Sequence, residues 1–347
     1  MSSFFKQKNI KYDILSGLTG AMLLGSYALC AAACVGLGLW NVFFCVVICS
    51  LFSIKLKDKI YAPDVFLLIP VHYVVSECGN HYLPICILGG VIIYYLLSKL
   101  IKRNNRINSI MAWATLILAL VATVIITNQY FGIGATGSTA IEMLKSYRSL
   151  GFHPHFRGLL YGTITLFAMI TYPFKFRKLN KRLPAEFMTL LVPLVLNLFL
   201  NPEKELTTVN EIDSFIYNKY SYSIPFGFSE TFEKTDTTPI ILGCLYFGFV
   251  LLLRSSENNI SRNTLTNMAS GILSFLPARQ FDITSYSLVS AIVTILVSGA
   301  VIILCPNILA RIPMHCVGAL LIVSAWQQVP YKNLALLLKK SDKGVKQ

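Results

Sequence analysis

Two prolines interrupt apolar stretches of this chain, and each brings a charged side chain with it. Pro63 is followed by Asp64, and Pro277 by Ala278 and Arg279. An ionisable residue inside a bilayer is a functional candidate by default. A carboxylate and a guanidinium at two chain breaks can carry a proton, or hold a small anion through charge and N–H donors. Covalent chemistry has no such footing. No nucleophile stands at a defensible spacing from a base, no Gly-rich phosphate loop occurs, and eight of the nine cysteines lie in or beside apolar stretches with no metal-motif spacing. They read as small packing residues. No catalytic residue, metal ligand or cofactor is expected, and the chain is not read as an enzyme.

Other polar residues are weaker candidates. Ser26 and Tyr27 lie on the first apolar run, where a small hydroxyl suits a crowded crossing and a phenol suits packing or a ligand hydrogen bond. Glu186 follows Pro184 at the start of a span, where an acid complements the helix dipole. His72 and His315 stand alone on apolar stretches and read as structural histidines. His153 and His155 flank Pro154 without carboxylate or thiol neighbours, which is poor metal spacing.

The elements that must position these residues are bilayer-spanning helices. Apolar residues make up 55% of the chain and charged residues 13%, against about a quarter charged in soluble domains. Long apolar runs alternate with short basic knots, which is the pattern of spans and loops. A crossing helix needs about 20 apolar residues. Spans are read near residues 14–36, 38–53, 83–101, 109–128, 156–174, 183–200, 239–254, 285–306 and 313–329. The first run is too long for the apolar core of a signal peptide and reads as a retained span.

The net charge of +14 sits in the loops rather than on a nucleic-acid face. Lys55, Lys57 and Lys59, then Lys99, Lys102, Arg103 and Arg106, then Lys175 to Arg182, and the lysine-rich tail all thread to one side. The positive-inside rule makes that side the cytoplasm, with both termini there. An acidic loop of about residues 201–238 and a short helix around Ser138 to Tyr147 are expected on the opposite side.

Two apolar pieces, Ala62 to Val75 and Leu265 to Leu276, are shorter or carry proline. Broken helices survive in a bilayer only where protein or a water-filled cavity satisfies their backbone. A pair of them in the two halves of a chain points to a transport site. Helix N-termini opening at Pro63 and Pro277 would aim free N–H groups at a midplane anion. Ordinary proline-broken loops are the plainer reading of the same pattern.

Several motifs then resemble one family in order along the chain. Asp13-Ile14-Leu15-Ser16-Gly17-Leu18-Thr19 looks like the first-span signature of the SulP-type anion transporters, the sulfate-permease family. Ile60-Tyr61-Ala62-Pro63 is similar to the stretch before that family's third, half-length helix. Arg182-Leu183-Pro184-Ala185 resembles the start of its seventh segment. Asn267 to Pro277 follows its Asn-Ile-Val-Ser-Ser…Leu-Pro run, and Cys305-Pro306, Arg311-Ile312-Pro313 and Leu321 to Trp326 match its twelfth-segment region.

The resemblance implies an all-α polytopic membrane protein with a SulP/UraA-like inverted repeat, a core and a gate, and about 12 membrane segments including two half-length broken helices. A first repeat of about residues 12–200 and an incomplete second repeat of about residues 239–332 would form one transport domain with no soluble domain. It further implies secondary transport of small inorganic or carboxylate anions by an elevator-type movement. Coupling would be to protons or sodium, or by exchange, in a bacterial inner membrane. A homodimer or a partner subunit stays open.

This chain departs from the family pattern at named places. The family's Pro-Gln pair falls on Ser26 and Tyr27, its Gly-Gly on Ser274 and Phe275, and its eighth-segment carboxylate near Gly248. Between Pro277 and Pro313 the chain is about eight residues short, where a tenth half-helix is expected. The thirteenth and fourteenth segments and the STAS domain are also expected to be missing. An ionised Asp64 at a helix start would cap that helix and compete with an anion. The anion site is expected at Ser26, Tyr27, Ala62, Pro63, Asp64, Val65, Pro277, Ala278 and Arg279. The second reading is a non-transporting SulP-like scaffold whose midplane is plugged by Phe275 and Tyr27.

Overall fold

A computed structural model describes residues 10–56, 58–100, 105–151, 153–200, 208, 237–254, 270–283 and 285–331. The acidic loop of about residues 201–238 therefore lies almost wholly outside the described residues, as do Asn267 to Ala269 and the basic tail.

The helices follow the apolar runs. They are α1 (Ile10–Val35), α2 (Leu39–Ser53), α3 (Leu68–Glu77), α4 (Leu83–Leu100), α5 (Asn105–Phe131), α6 (Ala140–Leu150), α7 (Phe156–Lys175) and α8 (Arg177–Asn180). After these come α9 (Ala185–Leu200), α10 (Thr237–Arg254), α11 (Leu288–Leu304), α12 (Pro306–Leu309) and α13 (Met314–Gln327). Three stretches, Ile10–Val35, Asn80–Leu100 and Ile110–Phe131, are long and apolar enough to cross a bilayer unaided. Many large apolar side chains, Leu100, Phe174 and Leu304 among them, point outward on these helices. Such faces need lipid rather than water, and the chain is an integral membrane protein.

In lipid, helices associate by close packing and interhelical hydrogen bonds rather than by burial of apolar surface. The α1–α11 crossing is built that way. A side chain at Gly17 would strike the Ser290 carbonyl and Val293 at 2.7 Å. The approach lets Ser290 Oγ donate to the Asp13 carbonyl and Thr294 Oγ1 to the Gly17 carbonyl, each at 2.9 Å. The Ser16 hydroxyl likewise donates to the Ser285 carbonyl. The residues of the first-span signature thus serve a helix crossing. On α13, Trp326 Nε1 donates to Thr123 Oγ1 of α5 at 3.0 Å.

One element was not expected in an all-α chain. β1 (Lys59–Pro63) and β2 (Ala278–Asp282) form an antiparallel ribbon in the register Lys59–Asp282, Ile60–Phe281, Tyr61–Gln280, Ala62–Arg279 and Pro63–Ala278. Strands within a membrane protein need every backbone group satisfied. The Tyr61 amide donates to Ser53 Oγ at 2.8 Å, Asp64 to the Pro277 carbonyl at 2.9 Å and Ile283 to the Asp58 carbonyl at 2.9 Å. Pro63 has no N–H to place, which suits its position at the ribbon end.

The short stretch after Pro277 has its explanation here. An extended chain advances about 3.3 Å per residue and a helix about 1.5 Å. β2 and the residues after it reach the Ser287 N-cap of α11 without forming a helix first. Fewer residues span the same depth because they run extended.

Candidate functional site

The ribbon brings the two proline motifs together. Pro63 pairs with Ala278 and Ala62 with Arg279, so Ala62, Pro63, Asp64, Pro277, Ala278 and Arg279 form one junction. Ala62, Val65 and Ala278 are fully buried.

The two sides of the junction differ. After Pro63, Asp64 adopts extended backbone and its carboxylate accepts from the Phe66 amide at 3.1 Å. Asp64 is thus the N-cap of a 3-10 turn, Val65–Leu67, that leads into α3. The same N–H that an anion would seek is already taken by the protein's own carboxylate. After Pro277 the chain enters β2, so two opposed helix N-termini do not face each other among the described residues. The cation on that side is a side chain. The Arg279 guanidinium carbon sits 4.5 Å from the centre of the Phe281 ring, a stacked cation–π arrangement. Arg279 is partly exposed. Gln280 Nε2 donates to the Tyr61 hydroxyl at 3.0 Å across the ribbon.

Tyr27 joins this cluster and Ser26 does not. The Tyr27 ring lies 4.6 Å from that of Phe281, tilted by 37°. Its hydroxyl donates to Glu186 Oε1 at 3.4 Å and accepts from Ser324 Oγ at 3.0 Å. Ser26 Oγ returns to the Met22 carbonyl at 2.6 Å. Its side chain lines an apolar cavity of about 220 Å³ between α1, α2, α9 and α11, whose walls include neither Tyr27 nor any ribbon residue.

Glu186 was a candidate on its position alone, and its contact with Tyr27 is what spacing could not find. It lies 159 residues from Tyr27 in sequence, and no local pattern announces the contact. The first-turn position was legible, but the partner was not.

The replaced family positions have clear structural roles. Gly248 is locked at the α4–α10 crossing, where an added side chain would begin 2.7 Å from Ile93 Cγ2 and 3.0 Å from the Gly90 carbonyl. There is no room for the expected carboxylate. Phe275 has φ of +63° and is 3% exposed. The family's glycine suits that left-handed backbone, and here a phenylalanine is held in it.

The histidines differ in how their rings are held. His72 Nε2 bonds the Gly137 carbonyl at 3.0 Å, and His155 Nδ1 accepts from the Gly158 amide at 3.3 Å at the start of α7. His315 is fully buried against Gly158, its ring 6.3 Å from that of His155, and among the described residues neither of its ring nitrogens has a hydrogen-bond partner. Outside the spans, Thr139 and Glu142 form a capping box on α6. Donors from Ser138 hold the Glu142 carboxyl below its ordinary value.

No family model and no curated protein matches the chain. Solved structures do. The transmembrane domain of a cyanobacterium bicarbonate transporter, BicA, is similar at a TM-score of 0.62 and 14% identity, over 95% of this chain and 91% of that one. Murine Slc26a9, a Solute Carrier 26 family anion transporter in an inward-facing state, gives 0.65 and 13% over 96% of this chain and 63% of its own. A second SLC26A9 structure gives 0.60 and 14% over 98% and 61%. The chain thus spans less than two thirds of the SLC26A9 chains and nearly all of the BicA domain. These likenesses show the fold: it is that of the SulP/SLC26-type transporters.

Proposed function

We propose that this protein is a secondary transporter of small inorganic or carboxylate anions, in the range of bicarbonate, sulfate and dicarboxylates. The observation that carries this reading is Arg279, held over Phe281 at the junction of two paired broken segments. A guanidinium on a strand stands in for a second helix N-terminus, which does not occur after Pro277 among the described residues. It offers a fixed charge and a planar fork of donors to an oxyanion. The anion would lie among Arg279, Tyr27 and the Ala62–Pro63 and Pro277–Ala278 backbone, with Asp64 serving the fold rather than the substrate.

Transport follows an elevator-type movement in this reading. α1, α2, α3, α4, α10, α11 and the ribbon move as the core, and α5, α7, α9 and α13 stand as the gate. Both termini face the cytoplasm, as the basic loops require. The fold likeness to a bicarbonate transporter and to a Solute Carrier 26 anion transporter supports the class.

Anion uptake into proteoliposomes tests it. The parent takes up radiolabelled bicarbonate or sulfate, and Arg279→Ala does not. A parent that moves no anion of this class refutes the reading.

A non-transporting scaffold is the second reading. The near-complete burial of Tyr27, Asp64 and Phe275 favours it, because buried side chains beside the broken segments leave less room for an anion. The same uptake experiment separates the two.

A further inference from the structure

Two acids lie within the spans at this site, and they are used differently. Asp64 is committed to the Phe66 amide. Glu186, the second residue of α9, accepts from the Tyr27 hydroxyl instead. Among the described residues two donors meet that carboxylate, its own backbone amide and the Tyr27 hydroxyl, and no lysine or arginine lies within ion-pair reach of it. The contact with its own amide is what a carboxylate complementing the helix dipole makes, and such a carboxylate needs no partner on another helix. This one reaches across to α1, and the phenol it meets is also bound by Ser324 of α13. Three helices meet on one oxygen.

We propose that Glu186 carries the coupling proton, and that Tyr27 is the bridge through which its charge state holds or releases α1. This rests on the transport reading. The ionised carboxylate accepts a charge-assisted hydrogen bond from Tyr27, which ties α1 to α9. A neutral carboxylic acid is a weaker acceptor, so the tie loosens. α1 stacks through Tyr27 on Phe281, and Phe281 carries Arg279. Whatever anion sits at Arg279 therefore travels with the element that the proton frees. The balance is simple: one O–H bond forms at Glu186 on one side of the membrane and the same bond breaks on the other. One proton moves with each anion.

A metal cation fits this position poorly. The site offers one carboxylate, one phenol and one hydroxyl, and no cluster of acidic, histidine or cysteine ligands occurs among the described residues. The groups that face Glu186 are few. α1 supplies Tyr27, α13 supplies Ser324, and β2 supplies Arg279 by way of Tyr27 and Phe281. α7 supplies Tyr172, whose hydroxyl donates to the Leu183 carbonyl at 3.2 Å just before α9. Arg182 presents its carbonyl to Thr19.

The experiment is uptake of radiolabelled sulfate and bicarbonate into proteoliposomes, with and without an inward proton gradient, beside anion exchange at equal pH. In the parent the gradient raises uptake several-fold. In Glu186→Gln the ratio with and without the gradient falls to unity, whatever the absolute rate. Tyr27→Phe moves half-maximal uptake to higher pH, because the donor that favours the ionised form is gone. A parent that exchanges anions yet ignores the gradient overturns the proton assignment and leaves transport standing. So does a Glu186→Gln protein that still responds to the gradient. If Glu186→Gln does not insert, the Tyr27→Phe profile decides, and an unmoved midpoint overturns the proposal. A parent that neither exchanges nor accumulates anions refutes transport itself.

Discussion

The amide of Asp64 donates to the carbonyl of Pro277 at 2.9 Å, extending the ribbon past its last register pair. The Asp64 side chain turns the other way and closes the start of the 3-10 turn before α3. The two roles are separable by mutation. Asp64→Asn keeps an oxygen acceptor and should leave thermal stability close to the parent. Asp64→Ala loses the cap and should be destabilised by about 1 kcal/mol. Since Asn also removes a negative charge from the junction, anion affinity in Asp64→Asn should rise. Thermal unfolding in detergent and anion titration check both halves.

Arg279 acts through shape as well as charge. Lysine in its place keeps the charge and loses the planar stack over Phe281. Arg279→Lys should weaken anion binding by about 1 kcal/mol, roughly fivefold. An unchanged dissociation constant would mean that the stack contributes nothing.

Phe275 offers a test in which the usual ranking reverses. Its backbone lies in the left-handed region and its side chain is buried. Truncation to alanine should cost about 3 to 5 kcal/mol. Glycine loses the same side chain but relieves the backbone, by about 1 kcal/mol. Phe275→Gly should therefore be more stable than Phe275→Ala, whereas glycine is ordinarily the worse substitute. Chemical denaturation of the two variants reads the order.

Gly248 sets the opposite limit. Restoring a carboxylate there by Gly248→Glu should abolish assembly, because even the first side-chain carbon would overlap Ile93. The expected result is aggregation on size-exclusion chromatography rather than altered transport. A monodisperse variant would show that the α4–α10 crossing can open to admit a side chain at Gly248.

On α6, Glu142 accepts from Ser138 and closes a capping box with Thr139. Its carboxyl is held below its ordinary value in the folded chain. The stabilisation is therefore fully present above the unfolded value of 4.5 and is lost as pH falls below it. Hydrogen exchange of the α6 amides, corrected for intrinsic rate, should quicken over that window. Glu142→Gln should remove most of the pH dependence.

The spans were legible because lipid imposes a period-free signal, a long apolar run closed by basic residues. α1, α4 and α9 begin or end within a few residues of the expected limits. The meeting of Pro63 and Pro277 was legible too, since paired chain breaks have few uses in a bilayer. The ribbon was not. Each strand has five residues, too short to distinguish from a loop before its partner is known. The Tyr27–Glu186 contact was hidden for a different reason: it depends on how α1 and α9 cross, and side-chain spacing within either helix carries no trace of it.

The ribbon bears on how the chain is made. Tyr61 and Gln280, which meet across it, are 219 residues apart. Until the ribosome has delivered the later strand, the earlier one holds backbone amides and carbonyls that hydrocarbon cannot solvate. A chain halted after α10 would leave that segment waiting in the translocon or wetted by a defect in the bilayer. The first half of this protein lacks the partner for its own strand, and the seam can close only once β2 has emerged, with α11 and α13 still to follow.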